Sequence, residues 1–378
     1  MSDTRIPFNR PAVVGSERDN IEDVLSRNKF SGTGHYGRRA TALLEEQSGA
    51  ARVLTTTSGT HALEMAALLC DLGPGDQVIL PSFTFPSTAT AFQRCGADLV
   101  FVDIDPHTMN IDPAAVEAAV SDRTRVLAVM HYGGVSCDMN ALAPIVERHG
   151  LIVVEDAAHA IHAEHAGSPC GTLGHLGCFS FHETKNLHCG EGGALLINDE
   201  RFISRAEVIH EKGTDRARFT RGEVDKYTWR DTGSSYVLGE LNAAFLVAQL
   251  EHGAEVTADR LATWHSYREL LAPLADEGRI DIAETPVGVR HNGHLFWVKA
   301  ADAAERASLL DHLDAAGVHA TFHYVPLHSA PAGRRFGRFA GDDVHTTRES
   351  ERLLRLPLFF GLNETDRVAA AVRDFYAG

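Results

Sequence analysis

From Val53 onward the chain alternates short apolar runs with helical stretches, and that rhythm limits what it can fold into. RVLTTTSGT leads into HALEMAALLCDL, ended by GPGD, and QVILPS leads through a turn into the helical FTFPSTATAFQRCG. ADLVFVDID is followed by PAAVEAAV, and TRVLAVMHYGG by MNALAPIVERHG. LIVVED, CFSFH and GALLIN complete the series. This order predicts an α/β domain whose mostly parallel sheet is covered by helices on both faces. Ligands of such sheets gather beyond the carboxyl ends of the strands, so the residues that close each apolar run deserve inspection.

The flanks read differently. Residues 1–14, with Pro7 and Pro11, predict an extended arm, and 15–30 an amphipathic helix; after the glycine-rich loop 31–37, a second helix stops at Gly49. The stretch 205–235 is polar and carries Lys212, Arg216, Arg218, Arg221, Lys226 and Arg230. One long helical pattern runs from about Leu238 to Leu274. HLFWVKA (strand), ASLLDHLDAAG (helix) and HATFHYVPLH (strand) then read as a smaller α+β domain. At 378 residues the chain can hold two domains, expected at 1–250, including the arm, and 251–378.

A formal charge of −16 argues against nucleic acid or a membrane surface as partner, while leaving room for a small anion held by a local basic cluster. No apolar run reaches membrane-spanning length, and MSDTRIPFNR does not read as a signal peptide. Six cysteines without a CxxC pair fit reduced thiols in a cytoplasmic protein. Among the 21 histidines, the sharpest metal candidate is His159, His162 and His165. Spacings of three separate the outer two by about 240° on a helix, and on a strand the middle one faces away, so no metal site is expected.

Chemistry concentrates in CFSFHETKNLHCGEGG, residues 178–193, around Lys185. A lysine between an apolar run and a glycine-rich loop can be a plain surface residue. Held partly desolvated at the mouth of a sheet, it loses its proton more readily and becomes a nucleophile. A Schiff base with pyridoxal 5′-phosphate (PLP) requires that setting. Asp156 closes the strand pattern LIVVED, and can either cap the next helix or keep the pyridine nitrogen of PLP protonated. Ser58, Gly59 and Thr60 stand between a strand and a helix, where they form a simple N-cap or a phosphate site. Ser180 can add a further hydroxyl to that phosphate site. Phe85 and Phe83 compete to stack on the cofactor ring, and either can be core.

SGT, an aromatic, EDAAH and SFHETK in this order resemble the sugar-nucleotide aminotransferases of fold-type I, over essentially the whole chain from IPFNRP to RLLRLPLF. SFHETKN with GEGG, VDKYTWRD, GSSY, and HY with PLH are most similar to the branch that makes dTDP-4-amino-4,6-dideoxygalactose. The resemblance implies that Lys185 is the Schiff-base lysine and Asp156 the pyridine-nitrogen partner. It places His159 beside the cofactor, Phe85 on its ring, and Ser58, Gly59, Thr60 and Ser180 at its phosphate. L-glutamate would give an amino group, leaving as 2-oxoglutarate, and a nucleotide-diphosphate keto sugar would accept it at C4. Lys185 would move the protons.

Many relatives reach the neighbouring subunit's phosphate through the asparagine of a GYNYR motif. Here Gly233-Ser-Ser-Tyr-Val puts Ser235 in place of that asparagine and Val237 in place of the arginine. A homodimer with shared active sites is the corresponding expectation. Arg216, Arg218, Arg221 and Arg230 are candidates for the diphosphate, followed by His323, Tyr324 and His328. The rival readings are C3 amination, the gluco epimer at C4, and a PLP-binding regulatory protein without turnover. Dehydration at C3 is disfavoured, because the related dehydratases carry histidine where Lys185 sits.

Overall fold

The computed structural model describes residues 5–377; residues 1–4 of the expected arm and Gly378 lie outside them. Eight strands form the large sheet, in the order Arg52–Thr56, Gly193–Ile197, Leu176–Ser180, Ile152–Asp156, Thr124–Met130, Gln77–Pro81, Asp98–Val102 and Gly337–Phe339. Every pairing is parallel except the two made by Gly193–Ile197, which runs against both neighbours. Helices follow where the sequence offers caps. Ser58 accepts a hydrogen bond from the His61 N–H to start Gly59–Leu69, and Pro86 opens Pro86–Gln93. Asp138 caps Met139–His149, which stops at left-handed Gly150.

A second, four-stranded sheet joins Asp281–Ile282, Phe296–Lys299, Leu353–Leu356 and Thr321–Phe322, all antiparallel. Its apolar face packs on Gly253–Asp276 through Trp264, Tyr267 and Leu271, and on Thr365–Ala377 through Val368 and Val372. The chain then returns to the large sheet, where Gly337–Phe339 pairs with Asp98–Val102. Asp103 secures this return by accepting the N–H groups of Val344, His345 and Thr346.

Two expected elements differ. The long helix breaks at His252 into Glu240–Glu251 and Gly253–Asp276. Gly253 lies so close to the His162 ring that a Cβ there would meet it at 2.5 Å, and the chain bends at this contact. The strand expected in HATFHYVPLH shortens to Thr321–Phe322, because His323 and Tyr324 turn into the interior and Pro326 lacks an N–H for a ladder.

The seven co-directional strands deliver Thr56, Met130, Asp156 and Ser180 to one edge of the large sheet. Gly193, paired with both Thr56 and Ser180, lets the Ser58–Gly59 backbone lie directly on the strand. A Cβ on Gly193 would stand 2.4 Å from the Ser58 carbonyl. Gly193→Ala should therefore destabilise the fold by about 1–3 kcal/mol and weaken cofactor uptake. An unchanged melting temperature with normal uptake would contradict this packing argument.

Candidate active site

Beyond that edge lies a cavity of about 730 Å³, bounded on its other side by Thr321–Val325 and Leu356 of the second sheet region. Ser58, Gly59, Thr60, Phe85, Asp156, His159, Ser180, Lys185 and Tyr324 all line it. Residues separated by up to 266 positions in the sequence thus meet around one space. The two phenylalanines take different places. Phe83 is 1% exposed and packs its ring on Tyr132 at 5.0 Å, whereas Phe85 is 54% exposed and faces the cavity.

Lys185 follows the strand Leu176–Ser180 in a short turn, its N–H bonded to the His182 carbonyl. Burial lowers its pKa from 10.5 to about 8, with Asp156 opposing the shift and the Arg355 charge adding to it. Asp156 is 4% exposed, accepting at 2.6 Å from the Thr88 hydroxyl and at 3.1 Å from the Ala158 N–H. Each carboxylate oxygen can accept more than one bond, so this fixed carboxylate keeps capacity for a cationic N–H.

The N-terminus of Gly59–Leu69 points at the same space. Thr60 and Ser87 share a hydroxyl hydrogen bond of 2.7 Å. Gly59 approaches Ser180 so closely that a Cβ there would meet the serine Cβ at 2.8 Å. Free helix N–H groups flanked by hydroxyls suit a phosphate. The donor set therefore fits PLP. Ser58, Gly59, Thr60 and Ser180 would hold its phosphate, Asp156 its ring nitrogen, Phe85 its ring face and Lys185 its aldehyde carbon.

His159 accepts a hydrogen bond at Nδ1 from the Gly133 N–H, at 3.3 Å, and its Nε2 lies 3.3 Å from the Tyr324 hydroxyl. Its ring stacks on His294 at 4.1 Å. Burial, reinforced by the neighbouring Lys185 and His294, pushes its pKa well below the usual range, so the imidazole is neutral. Burial also raises the Tyr324 pKa, with Tyr132 and Asp156 contributing, and keeps that phenol protonated.

Other candidates lie elsewhere in this chain. Arg221 is held by Glu207 and Glu223, Arg230 by Asp215 and Arg218 by Glu223, while Arg216 lies 3.9 Å from Glu211. None of the four lines the cavity, and neither does Ser235, which bridges to Glu211. His328 is occupied by Ser82 and Asp343, while His323 lines the cavity and bonds the Tyr132 hydroxyl at 2.7 Å.

Sequence reasoning missed Thr88, Asn186, His294 and Arg355. Asn186 Nδ2 donates to the Asn292 carbonyl, and its Oδ1 pairs with His294 Nδ1 at 2.8 Å. A signal for Arg355 existed: it interrupts the leucines of LLRLPL in a strand whose other residues are buried.

A profile of the DegT/DnrJ/EryC1/StrS aminotransferase family matches residues 12–373. The chain belongs to that family. It is 34% identical over 360 residues to a pleiotropic regulatory protein of Geobacillus stearothermophilus, covering 94% of this chain and 93% of that one. With the GDP-perosamine synthase of Caulobacter vibrioides it shares 31% identity, covering 98% and 99%. The crystal structure of S. venezuelae DesV superposes with a TM-score of 0.90 at 30% identity, covering 98% of each chain. The protein is thus an aminotransferase of fold-type I, PLP is its cofactor, and its family is that of the sugar aminotransferases. Among the described residues, no helix is long and apolar enough to cross a membrane.

The lowered Lys185 pKa has a measurable consequence for stability. The folded chain holds this proton less tightly than the unfolded chain does. The resulting penalty is complete below about pH 8 and fades as pH rises toward 10.5. Cofactor-free Lys185→Met should melt above wild type at about pH 7, with the gap closing toward pH 10.5. Identical melting at the lower pH would show that the ammonium is well solvated.

Proposed function

We propose that this family member transfers the amino group of L-glutamate to C4 of dTDP-4-keto-6-deoxy-D-glucose, giving dTDP-4-amino-4,6-dideoxy-D-galactose and 2-oxoglutarate for a cell-surface polysaccharide. The observation that carries the catalytic part is the meeting of Lys185 and Asp156 at one cavity beside a phosphate-suited helix end. The sugar assignment rests on the likeness of VDKYTWRD, GSSY and HY with PLH to the branch making that product. The nucleotide-linked sugar in the name of the GDP-perosamine synthase supports the substrate class.

Bound PLP supplies the electron sink and the carrier for the amino group. Asp156, fixed by Thr88 and Ala158, would hold the proton on the ring nitrogen. With its pKa near 8, Lys185 is suited to take the proton from the donor Cα and later give one to sugar C4. The face from which Lys185 delivers that proton decides the epimer. Neutral His159 would lie beside the bound cofactor, and Phe85, on the cavity wall, would cover one face of its ring.

The arginines of the 212–235 segment belong, in this reading, to a partner's cavity. The protein works as a homodimer, with Ser235 at the partner's cofactor phosphate and Arg216, Arg218, Arg221 and Arg230 toward the nucleotide diphosphate. The regulatory name of the Geobacillus stearothermophilus relative keeps a second reading in view, in which cofactor binding serves signalling. The complete catalytic set of this chain favours turnover.

Lys185→Ala should lose transamination while remaining folded, and Asp156→Asn should lose at least about a thousandfold in turnover with cofactor retained. Borohydride should fix PLP to wild type at Lys185; attachment at another lysine would overturn the assignment. A glutamate-coupled assay with dTDP-4-keto-6-deoxyglucose, followed by NMR of the product, tests the reaction. Amination at C3 or a gluco configuration would replace the proposed product.

Shared sites make a separate prediction. Mixing Lys185→Ala with a protein altered at Ser234 and Ser235 should restore part of the activity through heterodimers. Charge removal at the four arginines, taken singly, should raise KM for the nucleotide sugar in those that bind it. A fully active monomer, or four unchanged KM values, would refute the in-trans role.

A further inference from the structure

The cavity wall carries a phenol whose proton the protein leaves free, and the His159 ring shows why. Its Nδ1 accepts the Gly133 N–H at 3.3 Å and the imidazole is neutral, so its one proton sits on Nε2. Nε2 lies 3.3 Å from the Tyr324 oxygen, and a protonated ring nitrogen donates. The phenol oxygen therefore accepts from His159, and the Tyr324 O–H has to point elsewhere. Among the described residues, the hydroxyl has no other hydrogen-bond partner. The ring itself is held: His323 stacks on it at 3.7 Å, and Phe83 meets it edge-on at 5.4 Å. The Phe85 ring stands 6.2 Å away, and Tyr324 lines the same space as Lys185 and Asp156.

An amino transfer moves two kinds of proton. One kind leaves or joins carbon, the work assigned above to Lys185. The other kind follows oxygen. When an amine condenses with a ketone, a C=N bond replaces the C=O bond, nitrogen loses two protons, and oxygen leaves with both as water. Release of a keto acid is the same exchange run backwards. We propose that Tyr324 is a catalytic residue of this exchange, its O–H passing a proton between the amine nitrogen and the substrate oxygen. The role rests on the reading of the chain as a transaminase with glutamate as its donor. The phenol gives its proton to oxygen and recovers one from nitrogen, so it ends as it began and no further reactant is needed. While that proton is away, the His159 Nε2–H meets the charge on the phenol oxygen. Burial, with Tyr132 and Asp156 nearby, raises the Tyr324 pKa and keeps the phenol protonated until an acceptor docks.

Two measurements test this. Nitrogen NMR of the cofactor-free protein reads the His159 tautomer, its signal identified by its loss in His159→Gln. A proton on Nε2 is expected, and a proton on Nδ1 overturns the proposal, because the phenol would then be spent on His159. The second measurement uses PLP-loaded protein and glutamate in heavy water. Exchange of the glutamate Cα proton reports the carbon step, and 2-oxoglutarate release adds the oxygen step. Tyr324→Phe, which keeps the packed ring, should slow 2-oxoglutarate release by about a hundredfold and slow Cα exchange far less. Lys185→Ala should lose both. Equal slowing of the two steps in Tyr324→Phe overturns the proposal, since a tyrosine that only supports the site would give that result, and so does no slowing. If Tyr324→Phe does not fold, the tautomer in wild type decides. A wild type that exchanges no Cα proton rejects glutamate as the donor, and the tautomer again decides for Tyr324.

Discussion

An ammonium group packed away from water is less stable than one in solution, and the active site is arranged around that fact. Lys185 sits where burial favours its neutral amine, while the Asp156 carboxylate limits how far the shift proceeds. The balance leaves a pKa of about 8, close enough to neutrality for one side chain both to attack a carbonyl carbon and to carry protons. Parallel strands make this possible by ending together, so that Asp156 and Ser180 leave neighbouring strands at the same edge. Cys178, opposite Asp156 in the register, keeps the intervening wall apolar.

The second sheet region closes the space and also ties the lysine segment in place. Asn186, next to Lys185, bonds the Asn292 carbonyl and His294. Asn292 in turn donates from its Nδ2 to the carbonyls of His159 and Ile161, each at 2.7 Å. Gly134 has to lack a side chain here, since a Cβ would fall 1.9 Å from Asn292 Oδ1. The network links the lysine turn, the His159 turn and the start of Phe296–Lys299 through buried amides. Buried and fully bonded amides of this kind define one arrangement well, because breaking any member strands polar groups away from water. Neutral imidazoles extend the same logic. His159 and His294 can stack at 4.1 Å because neither carries a charge.

Much of this was readable in the sequence because it is local. A strand in a parallel sheet is written as a continuous apolar run, so LIVVED announced both a strand and the residue at its open end. SGT before a helical pattern likewise encoded the end of Gly59–Leu69. Arg355 shows where such reasoning stops: its place at the cavity depends on Phe322, thirty-three residues earlier, and on the Phe8 ring of the arm. Its sequence neighbours say only that it occupies a strand. Thr88 was hidden for the same reason, since its hydroxyl finds Asp156 across sixty-eight residues. Gly253 marks the break at His252 locally, but a lone glycine in a helical pattern does not by itself end a helix, and the His162 ring packed against it comes from ninety-one residues earlier.

The charged segment 212–235 shows how a sequence cluster changes meaning once its neighbours are known. In sequence its cations are only partly offset by Asp215, Glu223 and Asp225, and the fold brings Glu207 to Arg221 as well, with Glu223 on Arg221 and Asp215 on Arg230. Ion pairs this exposed contribute little stability singly, but here they brace a segment that also holds backbone bonds from Asp215 to Thr228 and from Arg230 to Gly213. The bracing leaves Phe219, Tyr227 and Trp229 outward, Trp229 with 79% of its surface exposed. Aromatic side chains of that kind are favoured in the centres of protein interfaces. A segment folded before it meets a partner loses less conformational freedom on docking than a loose loop would. That physical advantage is what the proposed sharing of sites between two copies requires.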